Sequence, residues 1–210
     1  MVAIATGPGM VPTEEVREAL GAEFEVIEVP NDSQLREVAS LRPLLEAVAS
    51  TREDEATFYG HSKGNSTGDS VEGAMAWTAT MYGQLVGRWP AAMRLLEHFA
   101  AVGTTQIVWP EGATPPYPTQ QPGAVARNAR LPGLWMFAGT FFWFRHAAVF
   151  SRPGWADVRP DRYAAEAWLS GLIEPHEAFS LYQPWPEELY PTPSPYHAEN
   201  YPPCYKDLPQ

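Results

Sequence analysis

Apolar and polar positions change period repeatedly along the N-terminal part of the chain, and each change marks a new element. Val2 to Thr6 is a short apolar run that reads as a strand, closed by the turn Gly7-Pro8-Gly9. Thr13-Glu14-Glu15-Val16 has the character of a capping box with Thr13 as cap, and Gly21 is placed to end the helix that follows. From Glu23 to Val29, three glutamates stand among Phe24, Val26, Ile27 and Val29, the pattern of a strand with one wetter face. Pro30-Asn31-Asp32-Ser33 breaks that strand and starts a helix, with Asp32 or Ser33 as its cap. Leu35, Val38, Leu41, Leu45 and Val48 recur at helical spacing, and Pro43 inside that span is expected to kink or split the helix. Ala56 to Tyr59 is a further short strand. This β-α-β-α-β order predicts an α/β fold with a mostly parallel central sheet flanked by helices.

Beyond the Ala56–Tyr59 strand comes Gly60-His61-Ser62-Lys63-Gly64-Asn65-Ser66-Thr67-Gly68-Asp69. Ligands of open α/β sheets sit past the carboxyl ends of strands, so this loop is placed for chemistry. It lacks the GxxxxGK[ST] spacing of a P-loop. A helical region follows from about Val71 to Phe99, with Met75, Tyr82, Leu85 and Val86 on its apolar side, and Met93, Leu96 and Phe99 beyond an expected break at Pro90. Thr104 to Trp109 reads as a strand, and the Pro- and Gly-rich stretch from Glu111 to Pro132 as a loop able to cover a site. Phe137-Ala138-Gly139-Thr140-Phe141-Phe142-Trp143-Phe144-Arg145 is aromatic almost without interruption, as in a strand buried on both faces. A glycine inside such a strand marks the close approach of another backbone or of a ligand. The next helix, Arg162 to Leu169, carries Glu166 in its first turns. From Pro184 onward there are eight prolines and several tyrosines, read as an extended strap or, in the other reading, as a proline-rich ligand for another protein. Residues 1–183 are thus expected to form one domain and 184–210 a tail.

Composition narrows the classes. Hydrophobic residues make up 45% of the 210, which predicts a packed core rather than disorder. The formal net charge of -11, from 14 basic against 25 acidic side chains, argues against nonspecific nucleic-acid binding while leaving room for a small anion held by a few local cations. The single cysteine, Cys204, excludes an internal disulfide framework and a cysteine zinc site. No apolar run approaches the length of about 18 residues needed to span a bilayer, and no secretory signal is visible, so a cytoplasmic location is expected.

The loop His61-Ser62-Lys63 after a strand, a tryptophan-containing helix, the strand Phe137 to Arg145 and a helical Glu166 together resemble the rhamnan synthesis F family and related bacterial polysaccharide glycosyltransferases. These carry an H-[ST]-K loop and an F-x-G-[TSN]-x-F-W strand. Pro30-Asn31 is similar to the family's P-N turn, and the likeness covers roughly residues 26 to 170. The resemblance implies a GT-A-like fold, a nucleotide-sugar donor and a growing glycan or other hydroxyl acceptor. The chain departs from the family in its short N-terminal part and in Gly64 after the HSK. It also lacks a clear DxD motif, which leaves divalent-metal use open, and Glu174-Pro175-His176-Glu177 is only a loose echo of the family's acidic-histidine ending.

Sugar transfer with inversion needs a base for the acceptor hydroxyl and positive charge or metal for the leaving diphosphate. The resemblance makes Glu166 the candidate base; the plainer reading is a helix-start carboxylate paired with Arg162. His61 and Lys63, two apart, point the same way in extended chain and are candidates for the diphosphate, against a local histidine bond and a solvated lysine. Arg145 suits a phosphate or a structural salt bridge. Asn31 and Asp32 are candidates for nucleotide contact, against simple helix capping. Gly139 and Thr140 are expected to admit the acceptor, and Trp143 and Trp168 to stack on a sugar or pack in the core. Two further readings are a glycosyltransferase-like binding or scaffold protein without catalysis, and a nucleotide or sugar-phosphate hydrolase. No G-x-S-x-G elbow supports a serine triad, and no pattern fixes an oligomeric state.

Overall fold

The computed structural model describes residues 1–22, 25–35, 37–49, 54–61, 71–108, 135–137, 139–160 and 164–182, with the backbone alone at 71–77, 105, 107 and 182. The elements are β1 (Val2–Thr6), α1 (Thr13–Leu20), β2 (Val26–Pro30), α2 (Val38–Ala49), β3 (Ala56–Tyr59), α3 (Val71–Leu85) and α4 (Trp89–Leu96). They continue with β4 (Ala101–Val108), β5 (Trp135–Phe137), β6 (Phe142–Arg145), α5 (His146–Val149), α6 (Ala164–Trp168) and β7 (Ala178–Tyr182). Single 3-10 turns lie at Leu169–Gly171 and Pro175–Glu177. The segments 62–70, 109–134 and 183–210 lie outside the described residues, and with them Lys63, the expected covering loop and the proline-rich tail.

Local chemistry sets the boundaries. Pro12, not Thr13, is the residue before α1, and no side chain caps that helix; Thr13 is its first, buried residue, and Gly21 ends it at φ 94°. Asp32 accepts from the backbone N–H groups of Gln34 and Leu35 at 2.8 and 3.0 Å, forming the turn that leads into α2. That helix continues through Pro43 as one element, against the expected split. The interruption between α3 and α4 falls at residues 86–88, and Pro90 opens α4 rather than breaking a helix. Proline is at home in a first turn, where its missing N–H would have no partner anyway.

The sheet is not mostly parallel. β1 and β2 pair in parallel as a separate two-stranded sheet, and β7 runs parallel to one edge of β4. The centre is antiparallel: β6 lies between β3 and β4 and opposes both, and β5 also opposes β4. Periodicity identifies strands and their order but not their neighbours. β3 finds its partner in a strand that arrives more than 80 residues later, and β1 and β2 do not pair with it.

Side chains alternate across the central sheet and divide the core into two clusters. On one face Tyr59, Phe142, Phe144 and Ala101 meet Val38, Leu41 and Leu45 of α2 and Ala165 and Trp168 of α6. On the other, Val102, Phe141 and Leu181 meet Met81 and Leu85 of α3 and Leu95 and Leu96 of α4. The result is a helix–sheet–helix sandwich, a mixed α/β architecture. Leu41 and Leu85 have no exposed surface, so each contributes roughly 1.5–3 kcal/mol of burial.

Candidate functional site

The aromatic stretch is one strand interrupted by design of its backbone. β5 and β6 lie in line along the same edge of β4: Phe137 pairs with Gln106 and Phe142 with Gly103. Between those two pairs β4 has two positions and the aromatic stretch four, so the ladder is broken by two extra residues, as in a bulge. The expected continuous strand Phe137–Arg145 is corrected to two short ones. Gly139 at φ 82° and Thr140 at φ 62° make the turn, and the Thr140 N–H donates to the Phe137 carbonyl at 3.0 Å. Glycine tolerates that conformation; a β-branched threonine there holds about 1–3 kcal/mol of strain.

The end of β3 reaches this break. His61 Nε2 lies 3.1 Å from the Gly139 carbonyl oxygen, which can only accept, so the ring donates from Nε2. The imidazole packs near Phe141 and Tyr59, with ring centroids at 5.4 and 6.4 Å. Gly60 lets the chain pass, since a Cβ there would come within 2.9 Å of the Phe58 ring. Two hydroxyls of this region, Thr140 Oγ1 and Tyr59 Oη, are buried without a hydrogen-bond partner among the described residues. Burial, reinforced by the charge of Glu37, pushes the Tyr59 phenol far above its ordinary pKa, so it stays protonated.

The other sequence-predicted residues do not all join this place. Asn31 extends the β1–β2 end, its N–H donating to the Thr6 carbonyl at 2.9 Å, and Asp32 is occupied by the turn before α2. Arg145 is at the opposite end of β6 from the break. It pairs with Ala56 at the start of β3, whereas Phe142 pairs with Tyr59 at its end. Three steps of about 3.3 Å separate those pairs, and His61 lies beyond the far one. Arg145 and His61 thus serve separate ends of the sheet and do not flank one diphosphate.

Glu166 sits on the half-buried side of α6, while Ala164, Ala165 and Trp168 turn into the core. Arg162 lies outside the described residues. Trp168 is buried, stacks on Phe142, and donates from Nε1 to the Trp155 carbonyl at 2.8 Å. Trp143 is half-buried against Phe58 and donates from Nε1 to the Leu85 carbonyl at 2.8 Å. Both indoles are spent on packing and backbone hydrogen bonds, a role the sequence allowed them. Among the described residues no group of three or more His, Cys, Asp or Glu side chains is arranged to hold a metal, and no helix is long and apolar enough to cross a membrane.

A cluster that the sequence pattern did not single out lies at the Arg145 end. Arg145, His98, Arg152, His176 and Glu177 line a cavity of about 410 Å³. His176 and Glu177 stand in the short acidic-histidine stretch, but nothing in the pattern around His98 or Arg152 signals that they meet there. Arg152 forms an ion pair with Glu177, whose other oxygen accepts from the Glu174 N–H at 2.8 Å. Comparisons with protein-family models, curated proteins and solved structures return no match to this chain.

Proposed function

We propose that the protein is a glycosyltransferase that moves a sugar from a nucleotide-sugar donor to a hydroxyl of a glycan or similar acceptor, on a GT-A-like domain. The observation that carries this reading is the contact between His61 and Gly139. It joins, in space, the two motifs on which the family resemblance rests, 78 residues apart in the chain. The strained Gly139-Thr140 turn and the unpaired Thr140 hydroxyl beside it are features that cluster at ligand sites.

In this reading His61 anchors the break, and Lys63, two residues on, meets the donor diphosphate as a compact positive charge. Glu166 takes the proton of the acceptor hydroxyl. The acceptor oxygen bonds to the anomeric carbon, the bond from that carbon to the diphosphate oxygen breaks, and the nucleoside diphosphate leaves with the electron pair. Arg145 has no part in this step, because it stands at the other end of β6.

The test is a thermal-shift panel of nucleoside diphosphates, with and without divalent metal. At about one hundred times Kd a ligand stabilises by about 2.7 kcal/mol, a rise of roughly 5–10 °C in Tm for a chain of this size. Glu166→Gln is expected to keep that shift and to lose turnover of the donor that binds. Absence of a shift with every nucleotide would favour the alternative, a glycosyltransferase-like binding protein without catalysis.

A further inference from the structure

We propose that the groove at the Arg145 end of the sheet is a binding site for a small phosphomonoester, separate from the break at Gly139 and independent of the transferase reading. The first observation is charge. The chain as a whole has 25 acidic and 14 basic side chains, yet the ionisable residues of this cavity are His98, Arg145, Arg152 and His176 against Glu177 alone. The local balance is the reverse of the global one, as expected where an anion is concentrated.

The second observation is how those charges are used. Glu177 is committed to Arg152 and to the Glu174 N–H. Burial works against its charged form, but the Glu174 N–H and then Arg152 outweigh that and hold its pKa below the ordinary value. Its charge therefore does not serve Arg145. Arg145 Nε is buried with no acceptor among the described residues. Its backbone is fixed by the N–H donating to the Ala100 carbonyl at 3.0 Å, and α5 begins at the next residue. A guanidinium is a planar fork suited to two phosphate oxygens at once. Arg145 as a whole is half-buried and lines the groove, so the outer nitrogens of that fork, beyond the covered Nε, are what an anion in the groove meets.

The third observation is shape. Ala100, Ala147 and Ala148 give the groove a low floor, and Ser151 turns its hydroxyl back to the Ala147 carbonyl at 2.7 Å. The volume of about 410 Å³ lies within the range of about 300–1,000 Å³ typical of small-molecule sites. It exceeds what a bare phosphate fills, so a carbon skeleton has room beside the phosphoryl group. His98 and His176, both exposed at the rim, are placed to donate to the remaining phosphate oxygens.

Isothermal titration calorimetry on the full chain tests the proposal, with glycerol 3-phosphate, inorganic phosphate and phosphatidic-acid-containing phosphatidylcholine vesicles as probes. Saturable binding of glycerol 3-phosphate, tighter than inorganic phosphate, is expected, weakened about tenfold or more by Arg145→Gln, as for loss of one charge-assisted contact. His98→Gln and His176→Gln, at exposed positions that leave the fold intact, should each weaken it about threefold, and they carry the test should Arg145→Gln not fold. No saturation up to about 10 mM, or unchanged binding in both histidine variants, would overturn the site. Equal affinity for inorganic phosphate would overturn the phosphomonoester, and binding to the vesicles alone would overturn a soluble ligand.

Discussion

At the scale of single residues, the chain departs from ordinary preference at a few positions, and Gly103 is one whose neighbour explains it. Gly103 sits inside β4, where glycine weakens a strand, because the Phe137 ring occupies the place of its side chain. A Cβ built there would collide with the Phe137 ring close to its attachment to the chain, and Phe137 is itself buried in the core. Gly103→Ala is therefore expected to destabilise by about 1–3 kcal/mol through overpacking, measured by urea denaturation. A loss of under about 0.5 kcal/mol would mean that the ring and the strand separate at little cost. Thr140 is the opposite case. Its positive φ is held by the turn bond from its N–H to the Phe137 carbonyl, but its buried hydroxyl has no partner among the described residues, which is why the break and not the flanking aromatic strand is the place to look for a ligand.

At the scale of elements, the sequence was legible where one period runs without competition. β1, α1, β2, α2 and β3 stand close to where alternation and capping residues put them. The first residues of β4 were not legible, since Ala101 and Gly103 carry little strand preference and depend on Phe144, Phe142 and Phe137 to be packed. The break at Gly139-Thr140 was visible as a change of residue type but not as a bulge, which only the register with β4 defines. The contact of His61 with Gly139 joins two motifs that the pattern marked separately, whereas the groove around Arg145 gathers residues from β6, α5 and three turns that no local pattern links. The turn Pro175–Glu177, entering β7, is held by Glu177 in a capping box and by its pair with Arg152. Because the folded state lowers the Glu177 pKa from 4.5, the associated stability is present above that value and is lost as pH falls through the lower, folded one. With both partners partly exposed, Glu177→Gln should cost about 1 kcal/mol at neutral pH, or about 2–4 °C in Tm. The difference from the unsubstituted protein should shrink as pH falls below the ordinary carboxylate range, followed by thermal melts across the acid range. A difference that stays constant with pH would assign the loss to packing instead of charge.

At the scale of the whole molecule, the central sheet separates two apolar clusters that never share a side chain, yet both depend on the same strands. Phe142 and Phe144 face α2 and α6 while Trp143 between them faces α3, so β6 is fixed from both sides at once. Unfolding of one helical layer would strip one face of β6 and leave aromatic surface exposed on strands that the other layer still holds. The sandwich is therefore expected to lose both layers in one transition. Ile173→Val, in the cluster beneath α6, should cost about 0.5–1.5 kcal/mol, and Leu85→Ala, on the other side of the sheet, about 2–5 kcal/mol. Since the two sites belong to different clusters on opposite faces of the sheet, the double variant should lose the sum of the two to within about 0.5 kcal/mol. Urea denaturation followed by tryptophan fluorescence and by far-ultraviolet circular dichroism should give coincident curves for all four proteins. Two separated transitions in Leu85→Ala would show that the α3–α4 layer melts by itself, and that the sheet is stabilised mainly from the α2–α6 side.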